Sequence, residues 1–128
     1  MKTKVVYAVV SSADDFFIEQ LQLSICSLRI HNKNAVVELV IDKETCDGLQ
    51  GNRSFVKDMA DSVHVVQCPT DYTQREKSRY LKTNIRRIVK GTFLYLDCDT
   101  LVCDSLEEID KCDYELAMVA DLNDHLLL

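Results

Sequence analysis

The sequence predicts an α/β domain built around a mostly parallel, twisted sheet with flanking helices. Apolar runs rich in β-branched residues alternate along the chain with helical patterns, which is typical of strand-helix-strand units. The runs are apolar at consecutive positions, as in strands that helices cover on both faces. A chain of 128 residues has the length of one domain, so we expect residues 1–128 to form a single unit.

The first half of the chain predicts two buried strands joined by a long helix. Residues 4–10 and 35–41 carry the strand patterns. The helix spans about residues 16–31, and Asp14 or Asp15 would cap its first turn. Its apolar face consists of Ile18, Leu21, Ile25 and Leu28.

The second half of the chain predicts further strands and helices in alternation. In chain order they are an amphipathic stretch at 54–60, a strand at 62–67, a helix over about 74–89, a strand at 92–96, a helical turn at 105–109 and a strand at 115–120. Polar residues follow three of the predicted strands: Ser11-Ser12, Asp42 and Asp97-Cys98-Asp99. Because ligands of parallel sheets bind beyond the carboxyl ends of the strands, these positions predict a small-ligand site.

The composition excludes several classes of protein. A hydrophobic content of 47% excludes a disordered chain, and a net charge of −6 argues against a nucleic-acid partner. Six cysteines show no paired spacing, and several lie in apolar runs, so we expect them to be reduced. The apolar run at 5–10 is too short for a secretory signal, and we therefore predict a cytoplasmic protein.

The charges are distributed unevenly along the second half. Residues 71–90 contain seven Lys or Arg and two acids, whereas residues 97–128 contain ten acids and one Lys. On the predicted helix the basic residues Arg75, Arg79, Lys82 and Arg86 form one stripe. Such a stripe is either a solvated helix face or the cationic wall of a binding site, and the pattern alone favours neither.

The pair Asp97 and Asp99 is a candidate metal site. If residues 97–99 continue the strand, the two carboxylates share one face and Cys98 points to the other. Adjacent carboxylates repel each other unless a cation lies between them, and Mn²⁺ or Mg²⁺ would bind them with positions left for phosphate oxygens. The simpler interpretation is that one Asp caps the following turn and the other is solvated.

The same residues resemble the nucleotide-sugar glycosyltransferases of family 8, which have the GT-A fold and include lipopolysaccharide galactosyltransferases and glycogenin. In that family an apolar strand runs into a D-x-D motif. The matching stretches of this chain are Arg79-Tyr80-Leu81-Lys82-Thr83, the run from Phe93 to Val102, the first strand with Ser11, the helix at 16–31 with Ser24 and Ser27-Leu28, and Val119-Ala120-Asp121. The resemblance implies a GT-A, Rossmann-like fold and a UDP-sugar donor.

The resemblance also implies roles for individual residues. Asp97 and Asp99 would bind Mn²⁺ or Mg²⁺, which holds the donor diphosphate, and Arg79 and Lys82 would lie near the diphosphate and the sugar. The end of the first strand would form part of the nucleoside pocket. The donor-binding residues implied in this way are Ala8, Val9, Val10, Ser11, Arg79, Lys82, Asp97, Cys98 and Asp99. Family members transfer the sugar with retention at the anomeric carbon.

Members of that family are longer than this chain, and their second half supplies the acceptor site. The resemblance therefore implies a truncated, N-terminal donor-binding half of a GT-A domain. The acceptor would be a saccharide or a lipid-linked molecule that these residues do not identify. A half-domain exposes apolar surface, so we expect it to form homo-oligomers.

Two other functions fit parts of the pattern. A nucleotide-binding fragment without transfer activity would keep the same donor residues. A phosphatase of the haloacid dehalogenase type also ends a strand in D-x-D and would form a phosphoenzyme at Asp97, but it requires Thr or Val where Leu101 stands. A zinc-thiolate site is disfavoured because Cys98, Cys103 and Cys112 lack the C-x₂-C spacing.

Overall fold

The computed structural model describes residues 1–119, which form an α/β fold with an all-parallel, four-stranded sheet. The strands are β1 (Lys4–Val9), β2 (Val37–Asp42), β3 (Ser62–Val66) and β4 (Phe93–Tyr95). Their order across the sheet is β3-β2-β1-β4, and every neighbouring pair is parallel. The predicted fold class is thereby confirmed at the level of a parallel α/β sheet.

Helices connect each strand to the next, as parallel pairing requires. The helices are α1 (Phe17–His31), α2 (Lys43–Asp47), α3 (Val56–Met59) and α4 (Gln74–Ile88). Two 3₁₀ turns lie at Gly51–Phe55 and Glu107–Lys111. None of the helices in residues 1–119 has the length and hydropathy needed to cross a bilayer.

Both faces of β1 are buried, which explains its continuous apolar sequence. Val5, Tyr7 and Val9 pack in one cluster with the apolar face of α1. The alternate residues of β1 pack in a second cluster with Leu81 and Ile85 of α4. Successive side chains of a strand point to opposite faces, so α1 and α4 cover opposite faces of the sheet.

The strand order reverses direction beside β1. The chain runs from β1 through β2 to β3 at one edge, and then α4 leads to β4 on the other side of β1. The connections on the two sides of this point therefore diverge, which leaves a crevice at the carboxyl ends of β1 and β4.

The predicted long helices at 16–31 and 74–89 are confirmed within one residue at each end. Thr73 caps α4 with a reciprocal Glu76 bond, so the start of this helix is encoded locally. The sequence did not indicate α2, because a five-residue helix has too few turns to show an apolar period.

Two strand predictions need correction. The fourth strand ends at Tyr95, so residues 97–99 lie in a turn and not in a strand. The strand predicted at 115–120 is wrong for residues 115–119, which have no regular structure, and its last residue lies outside the described residues. A strand requires a backbone partner, and none of the strands within residues 1–119 pairs with this segment.

Candidate functional site

A cleft of about 720 Å³ lies at the point where the strand order reverses. Its floor is the end of β1 and the residue after it, where Ala8, Val9 and Val10 contribute to the lining. One wall is α4 and another is the turn at residues 97–99. The volume lies in the range of clefts that bind cofactor-sized ligands.

The Asp97 carboxylate is held on two sides. Its Oδ1 accepts a hydrogen bond of 2.9 Å from the Tyr95 hydroxyl and one of 3.3 Å from the Lys82 ammonium. Burial and the bond to Asp97 raise the pKa of Tyr95, so its hydroxyl remains a donor at neutral pH. The lysine predicted near a diphosphate therefore contacts the D-x-D motif directly.

Residues 97–99 do not continue the fourth strand, but their exposure alternates as expected, with Asp97 and Asp99 exposed and Cys98 packed against the core. A hydrogen bond of 3.2 Å from the Thr100 amide to the Asp97 carbonyl closes a turn at these residues. Within the turn all three line the same cleft. The two aspartates therefore line the cleft from a turn and not from a strand.

Cys98 separates Asp97 and Asp99 in the sequence, and its side chain makes a structural contact. Its thiol donates to the Ala8 carbonyl at 3.2 Å, which ties the turn to β1. Burial, with the nearby charge of Asp97, raises the pKa of the Cys98 thiol to about 12. The thiol is therefore protonated at neutral pH, and the negative charge at this turn belongs to Asp97 and Asp99.

Polar residues on the buried face of α1 position the chain after the D-x-D motif. Ser24 makes hydrogen bonds of 2.8 Å with the Tyr7 hydroxyl and 3.1 Å with the Thr100 hydroxyl. Ser27 accepts a bond of 2.9 Å from the Val102 amide. These buried hydroxyls bond to the segment that leaves the cleft, so they fix its path across the middle of α1.

The loop between β1 and α1 is organised around Asp15. Its carboxylate accepts bonds from the Ser11 hydroxyl, the Ser12 amide and the Gln74 side chain at the start of α4. Burial opposes this charge, but the hydrogen bonds together hold the pKa of Asp15 well below its usual range. Asp15 is therefore ionised at neutral pH and joins the β1 loop to α4.

The basic stripe of α4 divides into two parts. Arg75, Arg79 and Lys82 line the cleft, opposite the Asp97 turn. Arg86 does not line it, because its guanidinium donates to the Gly91 carbonyl and lies 5.9 Å from the centre of the Phe93 ring. Of the four basic residues on one face of α4, the first three therefore line the cleft and the fourth does not.

A second cleft, of about 590 Å³, adjoins the first on the side of β2. Ser11 lines this cleft and not the first, because its amide is bound to the Thr45 hydroxyl at 3.0 Å. Asp42, at the end of β2, also lines it. The two clefts share Val10, Ser12 and Gln74, so they form neighbouring compartments along the same edge of the sheet.

The donor set at Asp97 and Asp99 suits a hard divalent cation in part. Both ligands are carboxylates, which Mg²⁺ and Mn²⁺ prefer. Within residues 1–119 no third His, Cys, Asp or Glu joins them in a metal-binding group. A cation held here would take its remaining ligands from water or from the oxygens of a bound phosphate.

The sequence did not single out Tyr95 or Gln74 as site residues, and it assigned Asp15 only a capping role. Tyr95 reads as part of an apolar strand, and its hydroxyl reaches Asp97 only because the strand ends there. Gln74 approaches Asp15 across 59 positions of sequence. The only available signal was position: Tyr95 is the last residue of β4, and Gln74 is the first residue of the helix after β3.

Comparisons of this chain with protein-family models, with curated proteins and with solved structures found no match.

Proposed function

We propose that this chain is the donor-binding part of a nucleotide-sugar glycosyltransferase of the family 8 type, with a GT-A fold. The observation that carries the proposal is the meeting of a carboxylate pair and three cations in one cleft where the strand order reverses. A nucleoside diphosphate with a divalent cation has the charges that complement this arrangement. The resemblance of the sequence around Asp97 supports a UDP-sugar as the donor.

The charges of the cleft divide the work of holding a diphosphate. Arg79 and Lys82 would donate hydrogen bonds to phosphate oxygens, and Asp97 and Asp99 would hold Mn²⁺ or Mg²⁺. The cation would supply positive charge that stabilises the leaving diphosphate when the glycosidic bond breaks. The Lys82 ammonium lies 3.3 Å from a carboxylate oxygen of Asp97. The cations of α4 and the carboxylate pair therefore meet at this contact.

The proposal names the donor and the acceptor by chemical class. The donor would be a UDP-sugar, and the acceptor a saccharide or a lipid-linked molecule. Ala8, Val9 and Val10 give the cleft an apolar floor on which a nucleoside would rest. Ser11 lines the adjoining cleft, so its part in nucleoside binding would be through that compartment.

The proposal is tested by calorimetric titration of the chain with UDP, with and without Mn²⁺. We expect binding that depends on Mn²⁺ and that Asp97→Asn and Asp99→Asn each weaken at least tenfold, because each removes a charged ligand. Circular dichroism would show that the variants keep the fold. A matched control is Asp58→Asn, since Asp58 is exposed on α3 and lines neither cleft.

Two results would contradict the proposal. If UDP binds equally with and without Mn²⁺, the cation assignment fails. If both cleft variants bind UDP as tightly as Asp58→Asn does, the site lies elsewhere. Where UDP binding depends on Mn²⁺, transfer of sugar from a UDP-sugar to an added acceptor distinguishes a transferase from a fragment that only binds the nucleotide.

A further inference from the structure

The guanidinium of Arg53 holds the loop between β1 and α1. Arg53 belongs to the 3₁₀ turn at Gly51–Phe55, and its side chain is 21% exposed. It donates to the Ser12 carbonyl at 2.7 Å and to the Asp15 carbonyl. Two further bonds, each of 2.8 Å, run to the two carboxylate oxygens of Glu19 in the first turn of α1. One side chain therefore joins the start of α1 to two points of the loop.

The loop that Arg53 holds is a wall of the first cleft. Ser12, Asp14 and Asp15 line that cleft, whereas Arg53 lines the second cleft and not the first. The guanidinium therefore lies on the far side of the loop from the first cleft. Any effect of Arg53 on a ligand in the first cleft must pass through the backbone of the loop.

The same loop also contacts α4, which carries the cations of the first cleft. The Asp15 carboxylate accepts a bond of 2.8 Å from the Gln74 side chain at the start of α4. Arg75, the next residue, lines the first cleft. Because Arg53 bonds to the carbonyl of the same Asp15, a shift of the loop would also change its contact with the first turn of α4.

We propose that Arg53 is a positioning residue of the nucleotide site, which fixes the wall at residues 12–15 without touching the ligand. This inference rests on the proposed function, in which the first cleft holds a diphosphate. A loop that is ordered before binding reduces the entropy that is lost when the ligand binds. A guanidinium presents its donors in a rigid, planar fork, which suits a carboxylate and two carbonyls at once, whereas the ammonium of lysine lacks this geometry.

The first experiment compares hydrogen exchange in unliganded wild type and Arg53→Lys by nuclear magnetic resonance. The amides of Ser12 and Phe17, which bond to the Asp15 carboxylate, report on the loop. We expect both to exchange about tenfold faster in Arg53→Lys, while the amides that pair β1 with β2 change by less than about threefold. Unchanged exchange in the loop would overturn the inference. Equal acceleration in loop and sheet would also overturn it, because Arg53 would then act on the stability of the whole chain.

The second experiment measures UDP binding by calorimetry with Mn²⁺ present. We expect Arg53→Lys to weaken binding about tenfold, because the loop must then become ordered when UDP binds. The matched control is Arg29→Lys, since Arg29 also joins α1 to another segment, donating to Asp61 at 3.0 Å, and lines neither cleft. The control should bind UDP as wild type does. Equal losses of affinity in the two variants would overturn the inference.

A third variant separates the loop contacts of Arg53 from its ion pair. Glu19→Gln removes the charge that Arg53 meets on α1 but leaves both loop carbonyls in place. Glu19 lines neither cleft, and we expect the variant to bind UDP within about twofold of wild type. A loss as large as that of Arg53→Lys would overturn the inference, because the ion pair and not the loop contacts would then govern binding.

The two proposals fail in different ways. Mn²⁺-dependent binding of UDP that is equal in wild type and Arg53→Lys would remove the role of Arg53 and leave the diphosphate site. A wild-type chain that binds no UDP in the presence of Mn²⁺, but whose loop amides exchange faster after Arg53→Lys, would remove the proposed donor site and leave Arg53 as the residue that orders the loop.

Discussion

The two long helices, α1 and α4, have the same length of 15 residues but serve different purposes. α1 buries six residues, and its apolar face packs against one side of the sheet. α4 buries only Leu81 and Ile85 on the other side, and it presents three cations to the cleft. The polar residues that α1 does bury bind the segment after Asp99.

The difference shows how one sheet can support both stability and binding. A fully buried helix face contributes to stability through the apolar area that it removes from water. A helix with a narrow apolar stripe leaves most of its surface for charged side chains. We therefore expect substitutions in α1 to change folding and substitutions in α4 to change ligand affinity.

The largest effect is expected from Leu21→Ala in α1. Leu21 is fully buried against the sheet, so its truncation should lower the free energy of unfolding by about 2–5 kcal/mol. Urea denaturation followed by circular dichroism measures this change. Leu23→Ala on the same helix is the matched control, because Leu23 is 62% exposed and should change stability by less than about 0.5 kcal/mol. Equal losses in the two variants would contradict the packing of α1.

The next effect is expected from Arg79→Gln and Lys82→Gln in α4. Each change removes a cation from the cleft, so each should weaken UDP binding about tenfold while uridine binding changes little. Calorimetry with both ligands separates the two affinities. Arg87→Gln serves as the control, since Arg87 is exposed on α4 and does not line either cleft. Equal losses for UDP and uridine would place these cations away from the diphosphate.

A smaller effect tests the connection between the two helices through Asp15. Asp15→Asn should lower the free energy of unfolding by about 1 kcal/mol at neutral pH. The pKa of Asp15 is lowered in the folded chain, so its contribution is complete above about pH 5. This contribution to stability is lost as the pH falls towards the pKa that Asp15 has in the folded chain.

Wild type and Asp15→Asn are denatured at several pH values between 7 and 2. Because the other carboxyls titrate in both proteins, the difference between their free energies of unfolding measures the contribution of Asp15. The difference in the free energy of unfolding between wild type and Asp15→Asn should become smaller below about pH 4. A difference that stays constant down to the lowest pH would contradict the assignment of charge to Asp15.

The smallest effect concerns self-association. Within residues 1–119, β4 pairs with β1 alone, so its other edge is open. Exposed apolar side chains follow at Tyr114, Leu116 and Met118. Open edges and apolar patches favour contacts between chains, and sedimentation should show a mass that rises with concentration. A constant monomer mass across a hundredfold range of concentration would contradict this expectation.

Much of the candidate site could be predicted from the sequence because polar residues directly follow apolar strands. Asp97 and Asp99 follow the predicted fourth strand and line the cleft, as do Ala8, Val9 and Val10, which the resemblance implied. The split of the basic stripe was not predictable, because it depends on where Gly91 and Phe93 place their acceptor and ring relative to Arg86. Helical periodicity shows which residues share a face but not what that face meets.

The sequence by itself determined the parallel α/β class and the buried faces of β1 and α1, because apolar periodicity is a local property of the chain. Only the tertiary structure decided which polar groups meet, since those contacts join segments far apart in sequence. Gln74 reaches Asp15, and Cys98 reaches the Ala8 carbonyl, only after the strands have paired. Within residues 1–119, one carboxylate oxygen of Asp42 is buried without a hydrogen-bond partner at the end of β2, and this too has no signature in the sequence.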